Sequence, residues 1–347
     1  MTPAELSRTV LHAVCRAVED GVLRAPVPES VSVERPRPGG CGDYATGVAL
    51  RLAGQAGQPP RAVAEELGRR IAGSPGIAGV EVTGPGFLNI TLDPQAQQDL
   101  VRKVLQRGDR YGWAGPTGSV AQISCRSEVR AAVTADVLGR ILVSQGTLAR
   151  VTCEDAADPA WAELGVRIEA ADARQRLRTD VTPVPADEDA AALLRRLGVD
   201  AARWGLLSAA AHDRPRLGDE LLVQHESNPL FRIRYACSRA RALTRGAAQL
   251  KITASAEVPV DAPLLTTALG DHPAVLACAA RLRAPDRLAR HLENTADALL
   301  AFQHTVLPLG DEKPMAAHRS RLALAEAAGV VLAGGLSLLG ISAPEYL

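Results

Sequence analysis

The strongest constraint on the fold is a nearly continuous helical periodicity in the second half of the chain. From residue 187 to residue 347, apolar side chains recur at three- and four-residue spacing in segments separated by short loops that carry Gly or Pro. Loops this short join antiparallel neighbours, so the spacing predicts an all-α helix bundle. We predict helices at residues 187–197, 200–210, 218–250 with an interruption near Pro229, 263–269, 273–283, 285–306 and 314–339.

The first 115 residues mix helical and strand-like spacing and predict a compact α+β module. Proline and aspartate mark several helix starts, because Asp caps a helix and Pro suits its first position. In chain order we predict a helix at 3–19, a strand at 31–34, helices from an Asp43 cap to Leu52 and from Pro59-Pro60 onward, strands at 77–82 and 87–92 around a Gly84-Pro85-Gly86 turn, and a helix from an Asp93 cap to about 106.

Residues 116–186 differ from both ends. Strand-like segments at 120–124 and 149–153 flank an amphipathic stretch at 128–143, which predicts one strand-helix-strand unit. Such a unit cannot bury both faces of its sheet, so we expect it to pack against neighbours. The remaining segment is rich in Arg and Asp, and we expect it to include a linker. The predicted domains are 1–115, 116–186 and 187–347.

Composition restricts the class of protein. Basic and acidic residues balance at 39 each, and no uninterrupted apolar run reaches the roughly 18 residues of a membrane span. The N-terminal segment is charged throughout, unlike a signal peptide, so we expect a cytoplasmic protein without a membrane partner. Six separated cysteines form no Cys-x-x-Cys pair, which argues against a zinc site or a disulfide framework.

One stretch is strongly cationic. Between residues 227 and 256 there is no acid, and there are six cations: Arg232, Arg234, Arg239, Arg241, Arg245 and Lys251. On a helix, such a block can follow the phosphates of a nucleic acid. A solvated helix face explains it equally well, and both interpretations stay open at this point.

The C-terminal half carries a family resemblance. It contains LGVDAARWGLL (197–207), ESNPLFRIRYACSRARAL (226–243), HPAVLACAARLR (272–283) and LLGISAPEYL (338–347). In this order, the segments resemble the DALR anticodon-binding domain of arginyl-tRNA synthetases. Asp200, Ala201, Ala202 and Arg203 stand at the positions that name the domain.

The N-terminal module resembles the same family. It contains VERPRPGGCGDYATGVALRLAG (33–54) and VTGPGFLNITL (82–92), which look like the additional N-terminal domain that grips the tRNA elbow. The resemblance covers about 1–115 and 187–347. It implies a multi-domain α+β protein with an N-terminal α+β elbow module, a vestigial Rossmann strand-helix-strand unit and a C-terminal all-α DALR helix bundle.

The family's ATP- and arginine-handling domain would lie between these ends, and it is several times longer than residues 116–186. When residues 121–142 are aligned with the family's first strand-helix unit, the two histidines of the HxGH signature fall on Cys125 and Glu128. A thiol and a carboxylate cannot stabilise a triphosphate as histidines do. Only Arg130 keeps its family identity there.

The other catalytic signatures are absent from the sequence. No lysine lies between Lys103 and Lys251, where the family has its KMSKS-type loop. The seven histidines include no pair at metal-ligand spacing and no nucleophilic arrangement with Ser or Cys. We therefore predict no catalytic residue, no metal and no cofactor.

The chain thus resembles a truncated, non-catalytic paralogue of arginyl-tRNA synthetase, such as the related anticodon-binding proteins of the NrtL type. The resemblance implies tRNA as partner, with tRNA-Arg as first candidate, and no autonomous aminoacylation. One alternative is arginine-tRNA ligase activity that is retained or completed by a partner. Another is a scaffold that forms a homodimer or associates with the full-length synthetase.

The resemblance also implies two sets of tRNA contacts. On the elbow side, Phe87 and Asn89 match an aromatic ring and an amide that bind an unpaired D-loop base, although Phe87 is equally suited to a core. Tyr44 is expected to be structural. On the anticodon side the matching residues are Asn228, Phe231, Arg232, Arg234, Tyr235 and Arg239.

Two of these positions depart from the family. Arg232 and Arg234 stand where it usually has a second aromatic residue and a glutamine. We expect this change to keep phosphate affinity while weakening base readout, because phosphate contacts position an RNA and base contacts specify it.

Overall fold

The computed structural model describes residues 3–36, 41–155, 157–171, 179–310 and 312–346. The chain divides into two compact units, Met1–Arg102 and Lys103–Leu347. Residues 116–186 and 187–347 lie in the same unit, and the division into three domains stays a prediction.

The first unit is an α+β module, as predicted. Its elements are helix α1 (Pro3–Glu19), strand β1 (Tyr44–Thr46), helices α2 (Val48–Ala56) and α3 (Pro60–Ala72), strands β2 (Ile77–Thr83) and β3 (Phe87–Leu92), and the start of helix α4 (Pro94–Arg107). The strands form an antiparallel sheet in the order β1-β3-β2. Apolar residues of α1, α2 and α3 pack on one face of β3, where Leu88 and Ile90 are fully buried.

Two local predictions in this unit are wrong. Asp43 does not cap a helix; its carboxylate accepts a hydrogen bond from Leu92 N (2.7 Å), and the residues after it pair with β3. The predicted strand at 31–34 is reduced to a single bridge between Glu34 and Ala45. In both places pairing in the sheet outweighs the local spacing: residues 44–46 pair with the central strand β3, and Glu34 bridges to the edge strand β1.

The second unit begins with a small parallel sheet. Its elements are β4 (Val120–Cys125), α5 (Val129–Ser144), β5 (Leu148–Cys153), α6 (Pro159–Glu163), β6 (Ala170–Ala171) and β7 (Thr179–Val181). All pairs are parallel, in the order β6-β5-β4-β7. The predicted strand-helix-strand unit is confirmed, while β6 and β7 are too short to show a periodicity.

The rest of the second unit is helical, which confirms the predicted bundle. It comprises α7 (Ala190–Leu207), a 3-10 turn (Asp219–Leu222), α8 (Pro229–Gln249), α9 (Pro263–Leu282), α10 (Pro285–Phe302) and α11 (Ala316–Leu339). Helix α5 packs against α7, α9 and α11, so the bundle covers the sheet unit as expected.

Three helix boundaries differ in detail. The break expected between residues 197 and 200 is a kink at Gly198. Its backbone dihedral angles (φ 71°, ψ 179°) are ones that glycine adopts without strain. The segment before Pro229 is a 3-10 turn and loop instead of a helix. Pro273, expected to separate two helices, lies inside the continuous α9.

Helix α11 is long and apolar enough to cross a membrane by length and composition, with a mean hydropathy of 1.9 over its most apolar window. However, 67% of that window is buried inside the fold. The core helix of a bundle has the same properties, so this feature is weak evidence for a span.

Candidate nucleic-acid interface

The loop before α8 is fixed by the side chain of Asn228. Its Oδ1 accepts hydrogen bonds from Leu230 N (3.0 Å) and Phe231 N (3.4 Å), which caps the helix. Its Nδ2 donates to Leu221 O (2.8 Å) and Val223 O (3.0 Å). The amide is 5% exposed and all four of its hydrogen-bonding positions are used. Asn228 therefore shapes the loop and has no free edge for a base.

A cleft of about 370 Å³ lies between the kink of α7 and the start of α8. Among the predicted residues, Asn228, Phe231 and Arg234 line it. The ring of Phe231 stacks on Tyr235, with centroids 5.8 Å apart and 14° between the planes. Tyr235 is 37% exposed, so this aromatic pair can extend its stack with a planar group from solvent.

Arg232 and Arg239 lie seven residues apart on α8, and their side chains contact α10 and the residue that follows it. Arg232 Nε is 2.9 Å from Asp297 Oδ1, and its Nη1 donates to Glu226 O (2.7 Å). Arg239 Nε donates to Gln303 Oε1 (2.7 Å). Arg232 is therefore paired with an acid, whereas Arg239 is held by a neutral amide.

Arg234 lines the cleft and contacts the residues that name the domain. Its Nη2 lies 3.6 Å from Asp200 Oδ2 and 3.4 Å from Ser342 Oγ. Ser342 in turn donates its backbone N–H (3.0 Å) and its hydroxyl to the Asp200 carboxylate. The Nε of Arg234 is buried without a hydrogen-bond partner among the described residues. Arg234 thus joins α7, α8 and the C-terminal segment at the wall of the cleft.

Arg241 and Arg245 continue the cationic stretch beneath the C-terminal residues. Arg241 Nη1 donates to Ala343 O (2.9 Å), and the guanidinium carbon of Arg245 lies 4.5 Å from the centroid of the Tyr346 ring. Like Arg239, both are held by neutral groups, and neither has an ion pair with an acid among the described residues. Contacts within the fold therefore orient the guanidinium groups of this stretch.

The elbow-side residues lie on the outer face of β3, opposite the core. Phe87 is 43% exposed, and its ring lies over Gly47, where an added Cβ would stand 3.5 Å from Phe87 Cε1. Asn89 is 5% exposed and its Nδ2 donates to Thr83 Oγ1 (2.6 Å). The structure therefore presents the ring of Phe87 to solvent and uses part of the Asn89 amide within the hairpin.

Cys125, at the first signature position, ends strand β4. It is buried opposite Cys153 of β5, and its Sγ donates to Thr152 O (3.5 Å). Burial, reinforced by the neighbouring Cys153, raises the pKa of the Cys125 thiol to about 12. The side chain is therefore a neutral thiol that points into the sheet.

Glu128, at the second signature position, caps helix α5. Its Oε1 accepts from Arg130 N (2.9 Å) and Ala186 N (2.9 Å), and its Oε2 accepts from Ala131 N (2.8 Å). The start of a helix attracts anions through its free N–H groups and dipole. Here that place is taken by a carboxylate of the chain itself.

Arg130 is buried and structural. All five of its guanidinium N–H groups are used at 2.6 to 3.1 Å: Nε by Leu206 O, Nη1 by Val184 O and Asp213 O, and Nη2 by Ala209 O and Ala210 O. Burial lowers its pKa. The guanidinium of Arg130 thus fastens the end of α7 to α5.

A buried ion pair that the sequence analysis missed joins the sheet unit to the bundle. Arg203 Nη2 is 2.8 Å from Asp136 Oδ2, while its Nε and Nη1 donate to Leu339 O (2.8 Å) and Leu164 O (2.7 Å). Burial lowers the pKa of Arg203, and Asp136 opposes this shift. A single acid within the apolar stretch 129–139 was the signal that could have revealed the pair.

Metal chemistry has no candidate among the described residues. No group of three or more His, Cys, Asp or Glu side chains there is arranged to hold an ion.

Two protein-family models match this chain, one at each end. Residues 5–92 match the arginyl tRNA synthetase N terminal domain, and residues 233–347 match the DALR anticodon binding domain. The second match begins within α8 and extends through α11, so Asp200 and Arg203 lie outside it.

Whole-chain relatives are arginine-tRNA ligases. The chain is 27% identical to that of Frankia alni over 553 aligned positions and 27% identical to that of Paenarthrobacter aurescens over 554, with full coverage of both chains in each case. Since this chain has 347 residues, at least 206 positions of the first alignment contain no residue of it.

Solved structures support the fold. Thermus thermophilus arginyl-tRNA synthetase has a TM-score of 0.74 at 14% identity, with 100% of both chains covered. Plasmodium falciparum arginyl-tRNA synthetase has a TM-score of 0.68 at 10% identity, with 99% of both chains covered. By its two matched domains, the chain is similar to the arginyl-tRNA synthetases, whose N-terminal domain and DALR anticodon-binding domain its two ends match.

Proposed function

We propose that this chain binds tRNA, with tRNA-Arg as the first candidate, and does not aminoacylate it by itself. The observation that carries the proposal is the Glu128 carboxylate on the N-terminus of α5, in a chain that retains both family domains. A chain of this design holds RNA at two ends and lacks a place for the triphosphate of ATP.

Electrostatics supports the loss of nucleotide activation. A phosphate at the start of α5 would meet the Glu128 carboxylate and would find the N–H groups of Arg130 and Ala131 already used. Two like charges about 4 Å apart near a protein surface repel by about 4 kcal/mol. The neutral thiol of Cys125 cannot compensate for this repulsion.

Hydrogen bonding leads to the same conclusion. The guanidinium of Arg130 has no N–H left for a phosphate oxygen, since five carbonyl groups accept from it. In this proposal, β4, α5 and β5 are the remnant of a Rossmann domain, kept because it supports the bundle. The at least 206 alignment positions without a residue of this chain fit the loss of the remainder.

The RNA-binding side rests on the aromatic residues and the charges of the two ends. The Phe231–Tyr235 stack beside the cleft suits an unpaired anticodon base, and Arg239, Arg241 and Arg245 supply positive charge along α8. The exposed ring of Phe87 suits a base of the elbow. With Asn228 saturated, recognition on the anticodon side depends on stacking and charge more than on amide readout.

A competition gel shift tests the binding. Labelled tRNA-Arg is bound at moderate salt and displaced with unlabelled tRNA or with random RNA of equal length. We expect tRNA to compete better, and Tyr235→Ala to weaken binding about tenfold, since stacking of a base on an aromatic ring contributes about 1–3 kcal/mol. Tyr235→Phe keeps the ring and is the matched control. Equal competition by random RNA would remove the proposal.

A further inference from the structure

A second groove, separate from the cleft between α7 and α8, lies beside residues 340–343, which follow α11. It has a volume of about 730 Å³ and is formed by α5, the loop after α6 and the end of α11. Its polar lining includes Arg140, Arg167, Ser337 and Ser342. No acidic side chain is among the described residues that line it, so its charge is set by the two arginines.

The floor of the groove carries an uncompensated positive charge. Asp136 is shared by two guanidinium groups, at 2.8 Å from Arg203 Nη2 and 3.1 Å from Arg140 Nη2. One carboxylate neutralises one of the two cations, and Arg203 is fully buried. The excess charge therefore belongs to Arg140, which is the partly exposed member of this cluster.

Arg140 is held in place by the fold. Its Nη2 donates to Gly165 O (3.0 Å), and its Nη1 lies 3.4 Å from Ser337 O. A guanidinium positioned in this way loses little conformational freedom when it binds an anion.

Arg167 adds a second charge. Its backbone N–H donates to Asp136 Oδ1 (3.3 Å), which places the residue at the groove, while its exposed side chain has no hydrogen bond or ion pair to another described residue. On the other side of the C-terminal segment, Arg234 contacts Ser342, which also lines the groove. Asp200 pairs with Arg234 and accepts hydrogen bonds from Ser342, so the positive charge of the groove comes from Arg140 and Arg167.

We propose that this groove binds the phosphodiester backbone of the tRNA that the chain holds. The inference rests on the proposed function, because it assigns a further contact to the same RNA. A polyanion fits better than a small anion, since the groove is open and much larger than one phosphate. The contact positions the RNA without reading its sequence.

The test is the substitution Arg167→Gln, which removes one charge from a side chain that has no partner among the described residues and leaves the contacts of Arg140 intact. We expect the affinity for tRNA to fall about threefold to tenfold at low ionic strength. We also expect the slope of log K against log salt to decrease by about 1, equally for all RNAs bound. Arg287→Gln removes the same charge from an exposed side chain on α10 and is the control, expected to match the wild-type protein.

Each outcome decides between distinct explanations. If wild-type protein binds tRNA and Arg167→Gln binds it equally well, the groove proposal is overturned and the proposed function stands. Equal losses of tRNA affinity in Arg167→Gln and Arg287→Gln would reveal a general charge effect and would also overturn the groove proposal. If the wild-type protein binds no tRNA, both proposals fail. A titration with inorganic phosphate, compared with chloride at matched ionic strength, tests for a free anion. If the groove binds free phosphate, phosphate raises the melting temperature of the wild-type protein but not that of Arg167→Gln. Such a rise, together with an unchanged tRNA affinity of Arg167→Gln, contradicts the proposal.

Discussion

The guanidinium of Arg203 and the carboxylate of Asp136 lie 2.8 Å apart, and both side chains are buried from solvent. Arg203 belongs to α7 of the bundle and Asp136 to α5 of the sheet unit. Carbonyl groups of Leu164 and Leu339 accept two further hydrogen bonds from Arg203. The short sheet unit is therefore an integral support of the helical bundle.

Replacing Arg203 with Leu is expected to lower the free energy of unfolding by about 3 kcal/mol or more, because it removes a partner of a buried carboxylate. Two buried carbonyl groups also lose their donor. Arg195→Leu, on the exposed side of the same helix, should change it by about 0.5 kcal/mol or less. Urea unfolding followed by circular dichroism measures both. Equal stabilities of the two variants would show that the pair is not structural.

Gly340 ends α11 in a left-handed conformation (φ 70°), and an added Cβ would stand 2.5 Å from the guanidinium of Arg203. Gly340→Ala should therefore destabilise the protein by both backbone strain and collision, about 3 kcal/mol together. Gly118→Ala is the matched control, since it has a similar φ of 71° with nothing within 4 Å of the added Cβ. Only the strain, about 1 kcal/mol, is expected there. A smaller loss for Gly340→Ala than for Gly118→Ala would contradict the observed packing.

Two buried histidines predict a pH dependence. Burial lowers the pKa of His272 to about 3, with a contribution from the neighbouring His291, and burial lowers the pKa of His291 to about 4. Because the unfolded chain takes up these protons near pH 6.5, their contribution to stability is full above that pH. It is lost as the pH falls towards 4 and 3.

At pH 5.5 the two groups together should reduce the free energy of unfolding by about 3 kcal/mol relative to neutral pH. His272→Phe keeps an aromatic ring beside Tyr111 and should remove about half of this dependence. His212→Gln, at an exposed position, should leave it unchanged. Denaturant titrations between pH 7.5 and 5.5 give the slopes, and a wild-type slope unaffected by His272→Phe would refute the assignment.

Thiol reactivity should separate the cysteines by environment. Burial raises the pKa of Cys125 and of Cys237 to about 12, and Cys153 is buried as well. These three should resist iodoacetamide at pH 8 in the native state, because thiolate is the nucleophile. Cys41 is exposed and should react before these three, although a hydrogen bond to Glu81 raises the pKa of its thiol. Mass spectrometry of labelled peptides reads the order, and early labelling of Cys125 would mean that the sheet unit opens.

Sequence periodicity predicted most helices correctly because their apolar faces are long and regular. It failed where tertiary contacts outweigh local preference. Asp43 lies in the loop just before strand β1 instead of capping a helix, and Pro273 lies inside the continuous helix α9. Strands β6 and β7 consist of two and three residues, which cannot display an alternation.

The candidate site was predictable in part. Asn228-Pro229 has the sequence of a helix cap followed by a first helical residue, so the capping role of Asn228 was recognisable without a structure. The exposure of Phe87 and the orientation of the α8 arginines were not, since both depend on residues distant in sequence. The groove of Arg140 and Arg167 likewise exists only because α5 and α11 meet.

The most direct test of the central claim is arginine-dependent exchange of pyrophosphate into ATP by the purified chain, with tRNA present at a concentration that saturates binding. We expect no exchange above background, because Glu128 occupies the start of α5 and Arg130 has no free donor. Exchange at the rate of a synthetase, dependent on arginine, would contradict it.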